Sequence, residues 1–447
     1  MTAPLSLRSC PVGHEGPLRG PWSLTQVPGN PGLRGGLKGA RFALPRGVVR
    51  LAIAGLAFLA LSANAQDTVR PELGKQLQAA GDLIRAGKYR EALAKVRDAD
   101  AIGSKTPGET FLIERMRIAA ASGAGEVDTA AKSFETLSDS GKLSPADKAR
   151  MAESIAGGYY RSKDYAKAMQ WSQRYFKEGG TNSSIRTLLI QSQYLSGDFA
   201  GAAKELVAEV QGAEKSGSVP AEDRLKLLLN AALQNKDNNT YVYAVEKLVT
   251  YYPKKEYWVD LLSRMQRKPN FSDRLALDAY RLSLATGSMS AANDYMEMAQ
   301  LALQAGLPAE AKQVVDKGFA ANLLGAGAEA ERHKRLRDLV SKKIDEEKAA
   351  RAENEKQAIA DKDGAALVNG GFNLVFEGQG AKGLAMMQQG ITKGSMKRPE
   401  DAKLHLAIAQ LIAGDAAKAQ ATLKTVGGAD GPADLARLWA LYARRKS

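Results

Sequence analysis

Residues 156–168 read AGGYYRSKDYAKA, and residues 190–202 read IQSQYLSGDFAGA. In each stretch a helical pattern ends in a short polar turn, and a second one starts at an aromatic residue with Ala three positions later. Gly at such a turn, as at Gly197, adopts the left-handed conformation that ends one helix and lets the next begin at once. Each stretch therefore predicts two antiparallel helices joined by a tight turn.

The same signature recurs along most of the chain. The Ala that opens the second helix is matched by a small residue twelve positions earlier, where two antiparallel helices must approach closely. Three spacings between matched pairs are 76, 76 and 36 residues, which favours a repeat of 36 to 38 residues. The exception is Ile190, opposite Ala202. The matched pairs are Ala80 with Ala92, Ala119 with Ala131, Ala156 with Ala168, Ala232 with Ala244, Ala299 with Ala311, Gly371 with Gly383, and Ala407 with Ala419.

Amphipathic helical periodicity extends over residues 71–445, and no β-alternation competes with it. The pattern predicts an all-α fold, an α-solenoid of helical hairpins that ends in a capping helix at residues 432–445. One apolar stripe of that last helix contains Leu435, Leu438, Trp439 and Tyr442. The predicted hairpins are 71–102, 107–140, 145–178, 182–215, 221–252, 255–286, 290–320, 364–394 and 399–426.

These residues resemble the tetratricopeptide repeat (TPR) family. Its repeat places a small residue late in the first helix, an aromatic residue three positions later, and Ala early in the second helix. Ala156, Tyr159 and Ala168 match these positions. The early Trp of the family pattern is missing here and its closing Pro is mostly missing, so related helical-hairpin solenoids stay open. A non-repeating helical bundle is the other alternative.

The resemblance implies a binding surface. In TPR proteins the first helices of the hairpins line a groove that binds an extended or helical peptide. The alternative for each groove residue is ordinary packing, such as Tyr160 packing on the next hairpin. The groove positions implied by the repeat phase are Arg150, Glu153, Tyr160, Gln191, Tyr194, Lys226, Asn293, Met296 and Gln300.

Residues 329–363 interrupt the repeats with a segment that is dense in charge and has only a thin apolar stripe. Opposite charges recur four positions apart, in Glu331 with Arg335, Asp338 with Lys342 and Glu347 with Arg351. This pattern predicts a long exposed helix. Two interpretations fit it: a solvated spacer between two blocks of repeats, or a docking or dimerising helix.

The start of the chain has the features of a secretory signal peptide. An apolar run at residues 51–63 follows three Arg residues and precedes the small-residue sequence Ala63-Asn64-Ala65. A membrane-spanning helix needs about 20 apolar residues, which this run does not reach. Gln66, after the expected cleavage position, carries no thiol for a lipid. We therefore expect a periplasmic protein with no stable membrane anchor after cleavage.

Four regions are predicted: a leader at 1–65, N-terminal TPR-like repeats at 66–328, a long charged helix at 329–363, and C-terminal repeats with the capping helix at 364–447. Cleavage after Ala65 removes seven of the 63 basic side chains and one of the 49 acidic ones, which leaves a net charge of +8. Charges of both signs are interspersed, which argues against nucleic-acid binding.

The sequence contains no motif for cofactor binding, phosphate binding or nucleophilic catalysis. One cysteine, Cys10, and three histidines exclude a disulfide scaffold and a Cys/His zinc site. His333 and His405 are interpreted as surface or packing residues. Residues 235–246 have the spacing of a calcium loop, but Thr240 stands where such a loop needs Gly, so they are interpreted as a turn. No catalytic, metal or cofactor site is predicted.

We therefore expect a non-catalytic scaffold of the bacterial cell envelope that binds a protein partner in its groove. Residues 251–319, which comprise the run 252–258 followed by two further hairpins, resemble a stretch in periplasmic TPR proteins found with TonB energy-transducing systems of proteobacteria, which implies a link to such a system. The alternative is an enzyme or accessory protein acting on peptidoglycan or another envelope polymer. Self-association through the charged helix is a third interpretation.

The exported protein is expected to begin at Gln66, because Ala63 and Ala65 fit the site that signal peptidase cleaves. Mass spectrometry of the intact protein from the periplasmic fraction should identify Gln66 as the first residue. A periplasmic product that still carries residues 51–63 would contradict the prediction.

Overall fold

A computed structural model describes residues 69–445, so the predicted leader lies outside the described residues. Within that range the chain forms 20 α-helices, one short 3-10 helix at Asp273–Leu275, and no β-strand. Helices that follow one another in the sequence pack together as hairpins. The predicted all-α fold of consecutive helical hairpins is confirmed.

Each predicted hairpin contains two helices, and the charged segment and the C-terminal segment contain one helix each. In chain order the helices are α1 Pro71–Arg85, α2 Tyr89–Asp100, α3 Pro107–Ala124, α4 Val127–Asp139, α5 Pro145–Arg161, α6 Tyr165–Lys177, α7 Ser183–Ser196, α8 Phe199–Lys215, α9 Glu222–Gln234, α10 Asn238–Tyr251, α11 Lys255–Gln266, α12 Ala276–Ala285, α13 Ala292–Gln304, α14 Pro308–Ala320, α15 Ala330–Ala360, α16 Ala365–Phe376, α17 Gly380–Lys393, α18 Pro399–Ile412, α19 Ala416–Leu423 and α20 Pro432–Ala443.

Local sequence explains why the helices start and stop where they do. Thr106 and Glu109 form a capping box at the start of α3, in which each side chain accepts a hydrogen bond from the backbone N–H of the other. Asp198 and Asp237 cap α8 and α10, where each carboxylate accepts a hydrogen bond from a backbone N–H in the first turn. Gly197 ends α7 with a φ of 90°, the left-handed conformation expected from its sequence.

The chain divides into two compact units, which are described separately. The described part of the first unit comprises residues 69–158 and 178–180, and that of the second comprises residues 159–177 and 181–445. The division falls within helix α5. The boundaries predicted from sequence at residues 328 and 363 lie elsewhere and stay a prediction.

The first unit has a core between its first two hairpins. Leu73 of α1, Val96 of α2 and Ile113 of α3 are all fully buried there. The segment that enters α1 is fixed by Arg70, which donates from Nε and Nη2 to the buried Glu109 carboxylate at 2.9 and 3.0 Å. The hydrogen bonds from Arg70, and then the one from the Thr106 backbone, lower the pKa of Glu109 to about 2. Glu109 therefore serves both as a helix cap and as an anchor for residue 70.

In the second unit, helices α16 and α17 approach so closely that only glycine fits where they cross. A Cβ atom on Gly371 of α16 would lie 2.5 Å from the carbonyl oxygen of Gly383 in α17. These residues form one of the small pairs, twelve positions apart, that the sequence placed at a hairpin crossing. Ala299 and Ala311, which form the corresponding pair of α13 and α14, are both fully buried.

The charged helix α15 is 31 residues long and packs on both of its neighbours in the chain. Its first half contacts α13 and α14, where Arg337 lies over the ring of Phe319 with 5.1 Å to the centroid. Its second half contacts α16, and Arg351 pairs with Glu377 at 2.5 Å just beyond that helix. Much of α15 is exposed, but it is a packed element of the second unit.

One of the three predicted ion pairs on α15 forms, because Arg351 pairs with Glu347 four positions earlier. The other two predictions were wrong. Glu331 pairs with Lys334 at 3.5 Å instead of with Arg335, and Lys342 lies 3.9 Å from Glu346 instead of pairing with Asp338. Spacings of three and four residues both bring side chains together on one helix face, and such exposed pairs differ little in energy.

The C-terminal helix α20 covers the last hairpin and also reaches back along the chain. It contacts α18 and α19, and it contacts α10 and α12 as well. Leu435 and Leu438 of the predicted apolar stripe are fully buried, and Trp439 is 4% exposed. The predicted capping helix is confirmed. It has a further role that the periodicity did not predict, because it closes the second unit on itself.

Replacing Gly371 with Ala should lower the free energy of unfolding by about 1 to 3 kcal/mol, because the added methyl group overlaps the Gly383 carbonyl and forces α16 and α17 apart. Urea denaturation followed by circular dichroism measures the change. The matched control is Gly212→Ala in α8, where a Cβ would meet no atom within 4 Å. That variant should be stabilised by up to about 1 kcal/mol, since Ala has the higher helix propensity. Equal effects of the two substitutions would contradict the close crossing.

Candidate partner-binding surface

The nine predicted groove residues differ in unit and in exposure. Only two of them, Arg150 and Glu153, belong to the first unit. Gln191 and Met296 are only 7% and 3% exposed. The exposed members are Arg150, Asn293 and Gln300, the half-buried ones are Glu153, Tyr160, Tyr194 and Lys226, and the buried ones are Gln191 and Met296.

Two hydrogen bonds of the same kind connect three successive first helices, α5, α7 and α9, in the second unit. The Tyr160 hydroxyl donates to Oε1 of Gln191 at 3.0 Å, and the Tyr194 hydroxyl donates to Oδ1 of Asn230. Each tyrosine thus reaches an amide side chain on the next hairpin. We call Tyr160, Gln191, Tyr194 and Asn230 the tyrosine–amide ladder.

Aromatic contacts hold the two tyrosine rings in place. Tyr160 packs edge-on against Tyr165 with 5.6 Å between ring centroids, and Tyr194 packs edge-on against Phe199 with 5.3 Å. Tyr165 and Phe199 are the aromatic residues that open the second helices, as quoted from the sequence. Burial raises the pKa of both tyrosine hydroxyls, so they remain protonated donors. Tyr160 therefore packs on the next hairpin, which is the packing alternative stated for it.

An exposed leucine lies one helical turn beyond each amide of the ladder. Leu195 follows Gln191 by four positions on α7 and is 41% exposed, and Leu233 follows Asn230 by three positions on α9 and is 39% exposed. Residues three or four positions apart share a helix face. The ladder and these two leucines, here called the ladder surface, therefore combine fixed polar groups with accessible apolar side chains.

Lys226 lies in a separate polar cluster on the next pair of first helices. The Glu222 carboxylate of α9 accepts from Lys254 Nζ at 2.6 Å and from the Tyr257 hydroxyl at 2.7 Å, and it pairs with Lys226 Nζ at 2.9 Å. These hydrogen bonds, the one from Lys254 first, lower the pKa of Glu222 to about 2. Lys226 is thus held beside α9 by an ionised carboxylate.

Arg150 and Glu153 lie on α5, and the last three predicted residues lie on α13. Asn293 and Gln300 are exposed there, and Met296 is part of the core. Sequence reasoning did not identify Asn230, although it lies four positions after Lys226 on the same face of α9 and could have been found from that spacing. The predicted set as a partner-binding surface stays a prediction.

A second cluster of charged groups lies in the interior of the second unit. Arg281 of α12 donates from Nε and Nη2 to both carboxylate oxygens of Glu310 in α14, at 2.7 and 2.6 Å. It also donates from Nη1 to Asp278 at 2.6 Å, and His405 Nε2 of α18 lies 2.9 Å from the same Asp278 oxygen. The Phe372 ring of α16 stacks on His405 and lies beside the guanidinium. We call these five residues the Arg281 network.

The Arg281 network has a structural role, because its buried charged groups stabilise one another. Burial alone would raise the pKa of Asp278, but its interactions with His405 and Arg281 outweigh burial and hold that pKa well below its usual range. Burial opposes the charge of Arg281, and the two carboxylates raise its pKa in turn. His405 is therefore a packing and pairing residue. His333 is 4% exposed and accepts from the Gly325 N–H through Nδ1 at 3.1 Å, which is also a structural role.

Residues 235–246 form a helix start. The Asp237 side chain accepts from the backbone N–H and the hydroxyl of Thr240, and Glu246 pairs with Arg437 of α20. Over residues 69–445 no group of three His, Cys, Asp or Glu side chains is placed to hold a metal ion. In the same range no helix is both long enough and apolar enough to cross a membrane.

Comparisons with known proteins do not assign this chain to a family. No protein-family model matches the sequence, and no curated protein matches it either. Among solved structures, yeast Tom70 is 12% identical with a TM-score of 0.23, over 83% of this chain and 96% of that one. Naa15/Naa10 bound to HypK-THB is 14% identical with a TM-score of 0.25, over 81% of this chain and 64% of that one. The P58(IPK) TPR domain is 11% identical with a TM-score of 0.20, over 84% of this chain and 98% of that one. Superpositions with such scores support no conclusion.

Replacing Arg281 with Gln should lower the free energy of unfolding at neutral pH by about 3 to 5 kcal/mol, because it leaves two buried carboxylates without their cation. Asp278 has a lowered pKa in the folded protein, so its contribution is present above the unfolded pKa and is lost as the pH falls through the folded one. In the variant, protonation at low pH also neutralises the carboxylates that have lost Arg281.

The difference between wild type and Arg281→Gln is therefore expected to be largest near neutral pH and to shrink in acid. Urea denaturation at several pH values measures it. Arg332→Gln, which removes half of an exposed pair with Glu329, is the control and should change stability by less than about 0.5 kcal/mol. A loss for Arg281→Gln that does not depend on pH would contradict the assigned charges.

Proposed function

We propose that this protein is a non-catalytic scaffold of the bacterial cell envelope that binds a protein segment on the ladder surface. The observation that carries the proposal is the tyrosine–amide ladder across α5, α7 and α9, with an exposed leucine one turn beyond each amide. A partner segment that follows these hairpins meets a polar and an apolar contact at each step. Such alternation is typical of surfaces that bind extended or helical peptides.

Preorganisation supports this proposal. The hydroxyls of Tyr160 and Tyr194 are fixed by hydrogen bonds to the next hairpin, and their rings are fixed by aromatic contacts. A partner therefore does not have to immobilise these side chains when it binds, which lowers the entropic cost of association. The exposed leucines then supply the apolar area that drives binding.

The proposed location follows from the predicted leader. Cys10 is the single cysteine of the chain and lies before the expected cleavage site, so the exported protein would contain no thiol. That composition suits the oxidising periplasm, where an unpaired thiol is reactive. The proposed link to a TonB-type system rests on the resemblance of residues 251–319 alone, and it defines which envelope proteins to test first.

Site-specific photo-crosslinking in cells tests the proposal. A photoreactive amino acid at Leu195 or Leu233 should form a reproducible adduct with an envelope protein, identified by mass spectrometry. Val219, in the loop between α8 and α9, is the matched control, because it is an apolar residue that is even more exposed, at 60%, and lies outside the ladder surface.

Leu233→Asp should strongly reduce the adduct formed by a photoreactive residue at Leu195, because charge replaces one of the two apolar contacts. Its melting temperature should stay close to that of the wild type, since Leu233 is exposed. Adducts of equal yield from Val219, or a Leu195 adduct that survives Leu233→Asp, would show that the ladder surface is not the binding site.

A further inference from the structure

A cavity of about 380 Å³ lies between helices α10, α11 and α20 of the second unit. Four cationic side chains line it: Arg264 of α11, Arg267 and Lys268 just beyond α11, and Arg437 of α20. No carboxylate is among its lining residues in the described part of the chain. Arg437 lines the cavity only because α20 packs against α10.

The carboxylates around the cavity do not balance its cations. Arg264 pairs with Asp260 at 3.3 Å, and Lys268 pairs with Asp434 at 2.8 Å. Arg437 pairs with Glu246 and lies 3.6 Å from the same Asp434. Among the described residues three carboxylates thus face four cations, and the cavity keeps an excess positive charge.

Arg267 is the cation without a counter-ion. Its Nε donates to the Ser263 carbonyl at 3.0 Å, and it has no ion pair within residues 69–445. The residue is exposed and its guanidinium retains unused N–H groups. Guanidinium groups match carboxylate and phosphate oxygens in pairs, so Arg267 can donate to a bound oxyanion without giving up an existing salt bridge.

The neighbouring arginines are held in fixed positions. The Arg264 guanidinium stacks on the Tyr241 ring with 3.6 Å to the centroid, and its Nη1 donates to Asn238 Oδ1 at 3.3 Å. Burial lowers the pKa of Arg437, because its positive charge is solvated less well there than in water. An anion in the cavity would offset that cost, and it would meet donors that are already oriented.

Apolar side chains complete the lining. Val242 is half-buried on α10, and Leu261 and Met265 of α11 are 2% and 3% exposed. A site for a bare inorganic ion would not need such groups, whereas a ligand with a short hydrocarbon part gains from contact with them. The volume falls in the lower part of the range of about 300 to 1,000 Å³ that is usual for small-molecule sites.

We propose that this cavity binds a small organic anion, a carboxylate or phosphate monoester on a short apolar body. Arg267, Arg264 and Arg437 would contact the oxyanion, and Val242 and Met265 would contact the hydrocarbon part. The site lies on α10, α11 and α20, whereas the ladder surface lies on α5, α7 and α9. Its test is therefore independent of whether the chain binds a protein partner.

Isothermal titration calorimetry on the purified full chain tests the site with hexanoate, hexyl phosphate and the neutral hexanol as probes. Both anions should bind, hexanol should bind much more weakly, and raising the ionic strength should weaken the anions only. Arg267→Gln should reduce anion affinity about tenfold, as expected for one charge-assisted contact. Arg90→Gln is the matched control, because Arg90 is also exposed but lies in the first unit, and it should leave the affinity unchanged.

The two anionic probes also identify the oxyanion, since tighter binding of either one supports the site and shows which group it prefers. Arg267→Gln is on an exposed side chain that pairs with no carboxylate, so loss of folding is not expected to obscure the result. The proposal is overturned if neither anion binds, if hexanol binds as tightly as the anions, or if Arg267→Gln and Arg90→Gln have the same affinity.

Discussion

Arg281 is a guanidinium with 3% of its side chain exposed, and the second unit depends on the way its charge is compensated. A charge buried this deeply is tolerated only when it is paired and hydrogen-bonded. Its partners come from distant parts of the chain, because Glu310 is 29 positions away and His405, which shares Asp278 with it, is 124 positions away. Helices α12, α14 and α18 must therefore meet at one point, and the hairpins between them must follow a path that allows it.

Further ion pairs join the same two parts of the second unit. Arg274 donates from Nε and Nη2 to both carboxylate oxygens of Asp401 at 2.9 and 3.0 Å, and it also pairs with Asp430. The Ser272 N–H donates to the Asp430 carbonyl oxygen at 2.9 Å. The pair with Asp401 is bidentate and its side chains are only 19% and 14% exposed, whereas the pair with the more exposed Asp430 contributes little energy by itself. Together with the buried apolar face of α20 they fix the register in which the C-terminal hairpins dock.

The sequence determined the local structure well, because helix ends and hairpin crossings depend on residues close together in the chain. The pair Gly371 and Gly383 was identified from a spacing of twelve residues, and the structure has it at a crossing. Partners such as Asp278 and His405 could not be found in this way, since a repeat pattern describes only neighbouring hairpins. The prediction of which side chains on a helix are exposed was weaker. Met296 lies one helical turn from exposed Asn293 and Gln300, yet it is buried.

Because α20 contacts α10 and α12, the second unit has two parts that differ in how their hairpins are held. In an open array of hairpins each repeat contacts its neighbours, so stability is a sum of local terms and the array can adapt to a ligand. Helices α7 to α9, which carry most of the ladder surface, are held in this way by adjacent hairpins. From α10 onward, the contacts of α20 with α10 and α12 and the Arg281 network make distant hairpins depend on each other. The proposed partner surface thus lies on hairpins that only their neighbours hold, and the cavity with its oriented arginines lies where contacts between distant hairpins hold it.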